Sequence, residues 1–314
     1  MPRLGLALWL VAGLCGCSVF EDDAPPPAPT GPKEVEVPFH RTKNGALVLQ
    51  AGMNGNAPAA FVLSTTADQV LVLESQAKKW GIGQVEADGH IPTTKHYWVR
   101  DMACGAMKVH NVRCQIIADA SVSKLEKKLG ESLPNFGGML GYSFLSSLTI
   151  FIDFAGEKIA LHEGSTEGDA RLGDSTGLTF YVGGGQARHS FVVFKASVRG
   201  KEPDPFVLDL ASHYSVLMPR AARELGVSPM KADELEAAGL PAGKSMVEAG
   251  PLKIGEHVLE HQPMAVVDLT RDLGYDISGM IGTDVIERWT LVLDYPRGRL
   301  FLLPPSKAPA PKKT

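Results

Sequence analysis

An internal repeat is the feature of this sequence that most constrains its fold. Residues 61–67 read FVLSTTA, and residues 206–212 read FVLDLAS. A second block, GMLG at 138–141, recurs as GMIG at 279–282. The first block recurs after 145 residues and the second after 141, in the same order. One apolar block can recur by chance, but two blocks in one order at nearly one offset indicate two copies of one structural unit.

Each copy has the pattern of a β-rich unit with one short helix. The predicted strands of the first copy are short runs of apolar and β-branched residues, at 46–50, 60–63, 112–118 and 148–153. Turn signals such as Asn54-Gly55 separate these runs. A helix is predicted after each first block, over Glu74–Trp80 and 219–225, because a glycine follows each stretch where a helix commonly ends.

The order of these elements resembles that of the retropepsin-like and pepsin-like aspartic peptidases. Each half of that family carries an apolar strand, an Asp-Thr-Gly-Ala/Ser loop, a short helix ending in Leu-Gly, and a later apolar-apolar-Gly segment. The resemblance implies an all-β, β-rich fold with short helices, in which two acid-protease-like barrels form two lobes related by a pseudo-twofold axis. The halves are expected at 35–168 and 169–303.

The catalytic loops depart from the family pattern. Ser64 stands in place of the first catalytic aspartate, and Asp209 keeps the second. The family chemistry needs two carboxylates about 3 Å apart that share one proton, one acting as base on water and the other as acid. A serine hydroxyl is not acidic enough for the second role. In addition, Thr66 and Ala211 replace glycines, so their Cβ atoms are expected to hinder close backbone approach or a positive φ.

The resemblance also implies a peptide groove. Its expected lining from the two loops is Thr65, Thr66, Leu210, Ala211 and Ser212. Residues 90–100 lie where a family member carries the flap over its cleft, so Tyr97 and Trp98 are expected to line the groove. The alternative is that both are half-buried aromatic residues of a strand.

The first residues indicate export. Arg3 and the apolar residues 4–14 have the pattern of a signal peptide, and 14–17 read LCGC, which resembles a bacterial lipobox. Residues 1–17 are therefore expected to be a lipoprotein signal, with Cys17 lipidated; the alternative is an ordinary secretory signal. Ser18, by the same resemblance, favours the outer membrane. Residues 18–34 are predicted to be a Pro-rich tether, and 304–314 a disordered tail.

Two cysteines remain in the predicted mature chain. Cys104 and Cys114 are an even pair, and an oxidising compartment favours their bonding. We therefore expect a disulfide, although the sequence alone leaves two buried free thiols as the alternative.

Charge and motifs exclude other classes of function. The net charge of -4 and the pI near 6.1 leave no basic surplus for binding nucleic acid. His257, Glu260 and His261 match a zinc-peptidase pattern, H-x-x-E-H, but that chemistry needs a helix. The surrounding residues and Pro263 indicate a strand instead, so we expect neither a metal nor a cofactor.

The leading hypothesis is a lipid-anchored envelope protein with an aspartic-peptidase-like fold and weak or absent catalysis, which binds a peptide or a partner protein between its lobes. One alternative is an active aspartic endopeptidase that uses Asp209. Another is a structural envelope module. Whether the protein is an enzyme stays open at this point.

Overall fold

The computed structural model describes residues 26–306, with the exception of 88, 174, 184–189, 231–244 and 274–275. The predicted signal sequence, Cys17 and residues 307–314 therefore lie outside the described residues. Within the described ranges, no helix is both long and apolar enough to cross a membrane.

Strands dominate the first half. Its strands are β1 (Ala28–Thr30), β2 (Glu34–Pro38), β3 (His40–Arg41), β4 (Leu47–Met53), β5 (Ala59–Leu63), β6 (Val70–Leu73), β7 (His96–Cys104), β8 (Met107–Ile117), β9 (Phe136–Leu140), β10 (Leu148–Asp153) and β11 (Lys158–Glu163). Its helices are α1 (Glu74–Trp80), α2 (Val122–Leu129) and α3 (Tyr142–Leu145), with a 3₁₀ turn at Asp119–Ser121. Six strands close into a ring, because β4 pairs with β5 and β7, β8 with β7 and β6, and β9 with β6 and β5.

The strands of this ring are apolar on both faces. Along β5, Phe61 and Leu63 point into the large hydrophobic core, whereas Ala60 and Val62 belong to a second cluster. This alternation follows from the two-residue period of a strand. Helix α2 covers the outer face, since its Leu125 packs in the second cluster. Burial on both faces explains why these runs read as nearly continuous apolar sequence.

The second half repeats the order of strand pairing. Its strands are β12 (Leu178–Val182), β13 (Val192–Val198), β14 (Asp204–Leu208), β15 (Val216–Leu217), β16 (Met246–Glu248), β17 (Leu252–Ile254), β18 (His257–Leu259), β19 (Pro263–Val266), β20 (Gly279–Ile281), β21 (Thr290–Asp294) and β22 (Arg299–Leu303). The helices among its described residues are α4 (Pro219–Glu224), α5 (Thr270–Leu273) and α6 (Thr283–Ile286), with a 3₁₀ turn at Ala170–Leu172 before β12.

The two halves share parallel and antiparallel pairs in the same places. β14 runs parallel to β20 as β5 does to β9, and β15 runs parallel to β19 as β6 does to β8. The counterpart of β7 is divided, because β16 pairs with β19 while β17 pairs with β13 and β18. The predicted β-rich architecture with short helices is confirmed.

A central sheet joins the halves, with the strand order β2-β11-β10-β21-β22-β12. β10 and β21 pair antiparallel from Thr149 opposite Asp294 to Asp153 opposite Thr290. The Asp294 carboxylate accepts hydrogen bonds from Thr166 and, at the turn before β22, from the Arg297 N–H. Asp294 is thus a structural residue of the junction between the halves.

The helix after each first block ends as predicted. α1 spans Glu74–Trp80, and Gly81 follows it with φ 65°. α4 begins at Pro219 and ends one residue before Leu225, and Gly226 has φ 63°. In both, the glycine adopts the left-handed conformation that closes a helix at its C′ position.

The predicted disulfide is wrong. Cys104 and Cys114 are free and buried. In the β7–β8 hairpin Cys104 lies opposite Met107, whereas Cys114 lies opposite Tyr97. The two cysteines are therefore seven positions apart along the hairpin, or about 23 Å, whereas a disulfide needs Cα atoms within about 7 Å. Burial raises the pKa of both thiols to about 12, so neither is a reactive thiolate at neutral pH.

The Pro-rich segment predicted as a tether includes an ordered part. β1 pairs with the edge of β8, with Ala28 opposite His110 and Thr30 opposite Lys108. The Thr30 hydroxyl also lies 2.8 Å from Nε2 of His110. Proline is tolerated here because β1 is an edge strand, where one side of the backbone needs no partner.

Candidate functional site

The first loop begins where β5 ends, at Ser64. The Ser64 N–H donates to the Leu140 carbonyl at the end of β9, 2.9 Å away. The Ser64 hydroxyl accepts a hydrogen bond from the Thr66 N–H at 3.3 Å, and its oxygen lies 3.2 Å from the Thr66 hydroxyl. Ser64 is fully buried, and Thr66 is nearly so.

The second loop repeats this geometry around Asp209. The Asp209 N–H donates to the Ile281 carbonyl at the end of β20, 2.9 Å away. Oδ1 of Asp209 accepts a hydrogen bond from the Ala211 N–H at 3.0 Å. Each loop thus starts beside the end of a neighbouring strand, and the N–H of its third residue donates a hydrogen bond to the side chain of its first residue. This turn is typical of serine and aspartate in loops.

Thr65 brings the two loops together. Its hydroxyl donates to the Leu208 carbonyl at 2.7 Å and accepts from the Leu210 N–H at 3.3 Å. These two groups flank Asp209 in the chain, so the residue after Ser64 contacts the backbone on both sides of Asp209. We call this pair of hydrogen bonds the Thr65 bridge. Only the first loop contributes a side chain to it, since Leu210, the counterpart of Thr65, has no hydroxyl to donate in return.

The site is buried as well as asymmetric. Ser64, Asp209 and Leu210 each have 0% of their surface exposed. A carboxylate so placed depends on nearby dipoles rather than on water for stabilisation. The arrangement offers one carboxyl group and one hydroxyl, which can donate and accept hydrogen bonds but cannot share a proton as two carboxyl groups do.

The two residues that stand in place of the family glycines have ordinary negative φ angles. Among the described residues, non-glycine positions with positive φ are Asn54, Asn111, Asn135, Glu157 and Arg199. Thr66 and Ala211 are not among them, so neither residue adopts a positive φ, and the expected hindrance of close backbone approach stays a prediction. The Ala211 methyl packs instead in the second hydrophobic cluster of the first half, beside residues such as Ala67.

In each half, a side chain accepts a hydrogen bond from the backbone just after the loop and so supports it. The Val70 N–H donates to the Ser143 hydroxyl, and in the second half the Ser215 N–H donates to the Asp284 carboxylate. Oδ1 of Asp284 also accepts from the Ser215 hydroxyl at 2.6 Å. Burial raises the pKa of Asp284, although these hydrogen bonds oppose the shift. Asp284 was not among the predicted site residues, because nothing in the local sequence pattern reveals its burial.

The remaining residue of the second loop, Ser212, closes it. Its carbonyl accepts from the Thr283 N–H at 2.9 Å, and its hydroxyl donates to the Tyr214 carbonyl at 3.4 Å. Next to it, His213 faces the first half, because its ring lies beside Gly45. Its Nδ1 also lies 3.4 Å from the hydroxyl of Thr283, in the second half. The second loop thereby rests against the chain that leads into β4.

A series of side-chain hydrogen bonds holds the flap-like segment, residues 90–100, to the first half. Nδ1 of His96 donates to Oε1 of Gln69 (2.9 Å), Nε2 of Gln69 donates to Oε1 of Gln115 (3.1 Å), and Nε2 of Gln115 donates to the Thr93 carbonyl (2.8 Å). The amide directions require a proton on Nδ1 of His96. Burial, and then the charge of Arg113, lower the pKa of His96, which favours the neutral ring.

A second anchor holds the start of this segment. The Glu74 carboxylate at the start of α1 accepts from the Ile91 N–H at 3.1 Å and lies 3.0 Å from Nδ1 of His90. The hydrogen bond from Lys78 lowers the pKa of Glu74, although burial opposes it. Residues 90–96 thus lie along the barrel, held at both ends.

The two aromatic residues predicted to line a groove differ in environment. The Tyr97 hydroxyl donates to the Pro92 carbonyl at 3.0 Å, and its ring packs against the hydrophobic core. Trp98 points outward with 49% of its surface exposed. Both lie on β7, as the strand alternative held, and their place in a groove stays a prediction.

The H-x-x-E-H pattern does not form a helix. His257 lies on β18, and its Nε2 contacts the Leu302 carbonyl at 3.1 Å. His261 follows the end of that strand. The two histidines therefore do not project from one helical face, as that zinc chemistry requires.

A protein-family model and solved structures of other proteins are similar to this chain. The family model described as "Aspartyl protease" matches residues 194–285, which include Asp209. An aspartic proteinase from Irpex lacteus is similar in structure, with a TM-score of 0.50 and 12% identity over 89% of this chain and 100% of that chain. A retropepsin-like aspartic protease from Rickettsia conorii has a TM-score of 0.27 and 17% identity over 44% of this chain and 93% of that chain.

No curated protein matches the sequence. The family match covers less than half of the chain, and the Irpex lacteus structure shows the fold alone at this identity. Together with the pairing order, they establish an aspartic-protease-like fold. The predicted family resemblance is thus supported in the second half.

Proposed function

We propose that this protein uses an aspartic-protease-like fold to bind a peptide or a partner protein and hydrolyses peptide bonds weakly or not at all. The observation that carries the proposal is the loop pair itself, in which Ser64 stands opposite the Asp209 loop. Loss of a positioned acid or base lowers a rate by roughly 10²- to 10⁴-fold. Full burial of Asp209 adds to the deficit, because a general base must reach a water molecule.

A binding function is supported by the contacts that hold the two loops in place, which are present although the pair of carboxyl groups is incomplete. We call these contacts the framework of the site. Thr65 still joins the two loops, and both loops keep their contacts with β9 and β20. A fold of this kind can bind an extended peptide by adding it as a strand, with main-chain hydrogen bonds for affinity. Binding of this kind needs the framework but not a carboxylate pair.

Cleavage and binding assays on Asp209→Asn separate the candidate functions. We expect no acid-pH cleavage of a peptide library by the wild type or by the variant, and peptide binding by both, because the substitution keeps the shape of the side chain. Asp284→Asn is the matched control, since it removes a buried carboxyl group outside the loop pair.

Three results would argue otherwise. Cleavage by the wild type that is lost in Asp209→Asn and kept in Asp284→Asn would favour the active endopeptidase. Absence of peptide binding by folded wild type would favour the structural envelope module. Loss of binding in Asp284→Asn alone would show that the supporting layer, rather than the loop pair, governs the site.

The proposal includes export and a lipid anchor at Cys17, supported by the residues 1–17 pattern. The Pro-rich residues that follow would space the body from an outer membrane. We expect the wild type to sediment with membranes and to incorporate labelled palmitate, and Cys17→Ser to do neither. Equal sedimentation and labelling of Cys17→Ser would contradict the anchor, with Cys15→Ser as the control that leaves both unchanged.

A further inference from the structure

β1 fixes the point at which the predicted tether reaches the folded body. Its three residues, Ala28–Thr30, pair antiparallel with residues 108–110 at the edge of β8. Gly31 follows with φ 113°, and a Cβ atom on it would lie only 2.7 Å from the Ala106 carbonyl oxygen. A residue other than glycine would therefore force the chain away from β8 at this point.

This pairing limits how far the body can lie from a lipid on Cys17. Ten residues, 18–27, separate Cys17 from β1, and a chain of ten residues spans at most about 35 Å. If β1 were not paired, the tether would end at β2, which begins at Glu34. The sixteen residues 18–33 span up to about 56 Å. β1 thus brings the edge of β8 within about 35 Å of the proposed anchor.

An exposed tryptophan lies close to β1. β8 pairs with β1 on one side and with β7 on the other, so that Ala28, His110 and Asp101 lie in one row across the three strands. Trp98 is three residues from Asp101 along β7, which places it about 14 Å from Ala28. Its exposed fraction is 49%. Tryptophan is enriched where a membrane meets water, because its ring is apolar and its N–H is polar.

Two arginines flank Trp98 on the same face of the β7–β8 hairpin. Arg113 lies directly opposite Trp98 on β8, and Arg100 follows it by two residues on β7. Nε of Arg100 pairs with the Asp101 carboxylate at 3.1 Å, and Asp68 is a charged neighbour of Arg113. These carboxylates offset part of the positive charge, so the indole favours lipid more than the net charge does. Long arginine side chains can still place their charge among headgroups while the ring enters the interface.

We propose that the outer face of the β7–β8 hairpin contacts the membrane and that β1 holds the tether beside it. We name this surface the Trp98 face, defined by Trp98, Arg100 and Arg113. The inference rests on the lipid anchor of the proposed function. It goes beyond that anchor because it states which side of the body meets the lipid, and it assigns Trp98 to lipid rather than to a peptide groove.

Intrinsic fluorescence tests the proposal, because Trp98 is the most exposed tryptophan of the described residues. Trp80 is 7% exposed, and Trp289 packs against the His257 ring. The lipidated full chain is reconstituted into vesicles with or without lipids that carry bromine on their acyl chains, which quench tryptophan only at close contact. We expect quenching of the wild type and its loss in Trp98→Phe. Trp289→Phe is the matched control and should be quenched like the wild type.

The role of β1 is tested by Gly31→Val, which forces the chain away from β8. We expect this variant to stay on the vesicles but to lose most of the quenching, because its longer free chain reaches about 56 Å. Pro32→Val introduces the same side chain one residue later and should keep the quenching. Quenching of Gly31→Val equal to that of the wild type would overturn the role of β1.

The outcomes separate this inference from the anchor on which it rests. Wild type that sediments with the vesicles without being quenched would overturn the Trp98 face and leave the anchor intact. Quenching that persists unchanged in Trp98→Phe would also overturn it. Wild type that fails to sediment, as is expected of Cys17→Ser, would overturn the anchor and this inference together.

Discussion

Ser64→Asp is expected to destabilise the protein by about 3–5 kcal/mol at pH 7, and to lose most of that penalty near pH 4. The introduced carboxyl group lies in a fully buried position, and Thr65 holds it beside the Asp209 loop. Burial and the neighbouring carboxyl group both favour the protonated form, so the pKa of the introduced aspartate is raised in the folded state.

The direction of the pH effect follows from that shift. The folded state keeps the proton on the introduced carboxyl group at a pH where the unfolded state has released it. Stability therefore falls as pH rises above about 3.9, by about 1.4 kcal/mol per unit. The fall ends at the raised pKa of the folded state. Urea unfolding of the variant and the wild type between about pH 4 and pH 7 measures the difference.

Ser64→Asn is the control for Ser64→Asp, because it has the same shape without the ionisable group. Its unfolding free energy relative to wild type should not change with pH. A Ser64→Asp penalty that is equal at both ends of the pH range would show that neither burial nor Asp209 raises the pKa of the introduced group. Acid-pH cleavage that appears only in Ser64→Asp would identify the missing carboxyl group as the main catalytic deficit.

Thr65→Val is expected to lower the free energy of unfolding by about 2–4 kcal/mol. The substitution keeps the shape of the side chain but leaves the Leu208 carbonyl and the Leu210 N–H without the hydroxyl between them, and each unsatisfied buried group costs roughly 1–3 kcal/mol. Thr65→Ser keeps the hydroxyl and should lose less than about 1 kcal/mol, since it deletes only a methyl group. Chemical denaturation, with the slope compared between variants, measures both.

The outcome that contradicts this prediction is a Thr65→Val protein as stable as Thr65→Ser. That result would mean that water or a shift of the loops replaces the hydroxyl. The bridge would then be a geometric contact between the halves with little energetic weight.

The sequence predicted those parts of the fold that local pattern determines. α1 begins and ends where the sequence predicted, because a glycine in the left-handed conformation closes it. β10 also matches the predicted run, Leu148–Asp153, because six consecutive residues of mainly apolar and β-branched character have a clear strand pattern. The internal repeat was informative for the same reason, since comparing the two sequence blocks does not require knowing which distant residues are in contact.

The parts that the sequence missed depend on register and burial. The distance between Cys104 and Cys114 follows from the pairing of β7 with β8, which no local pattern specifies. The role of Thr65 depends on contacts across about 145 residues, and the resemblance had implied only a place in the groove. The raised pKa of Asp284 reflects burial that only the folded chain creates.

The central sheet makes each lobe depend on the other for the pairing of an edge strand. A fragment that ended near residue 168 would leave β10 without β21, and an unpaired strand edge is a template for association. Since β10 and β21 run antiparallel, two such fragments have the geometry to pair β10 with β10 about a twofold axis. Covalent linkage replaces that dimerisation with fixed one-to-one stoichiometry. It thereby allows the two lobes to carry different residues at matching places, as Ser64 in one and Asp209 in the other illustrate.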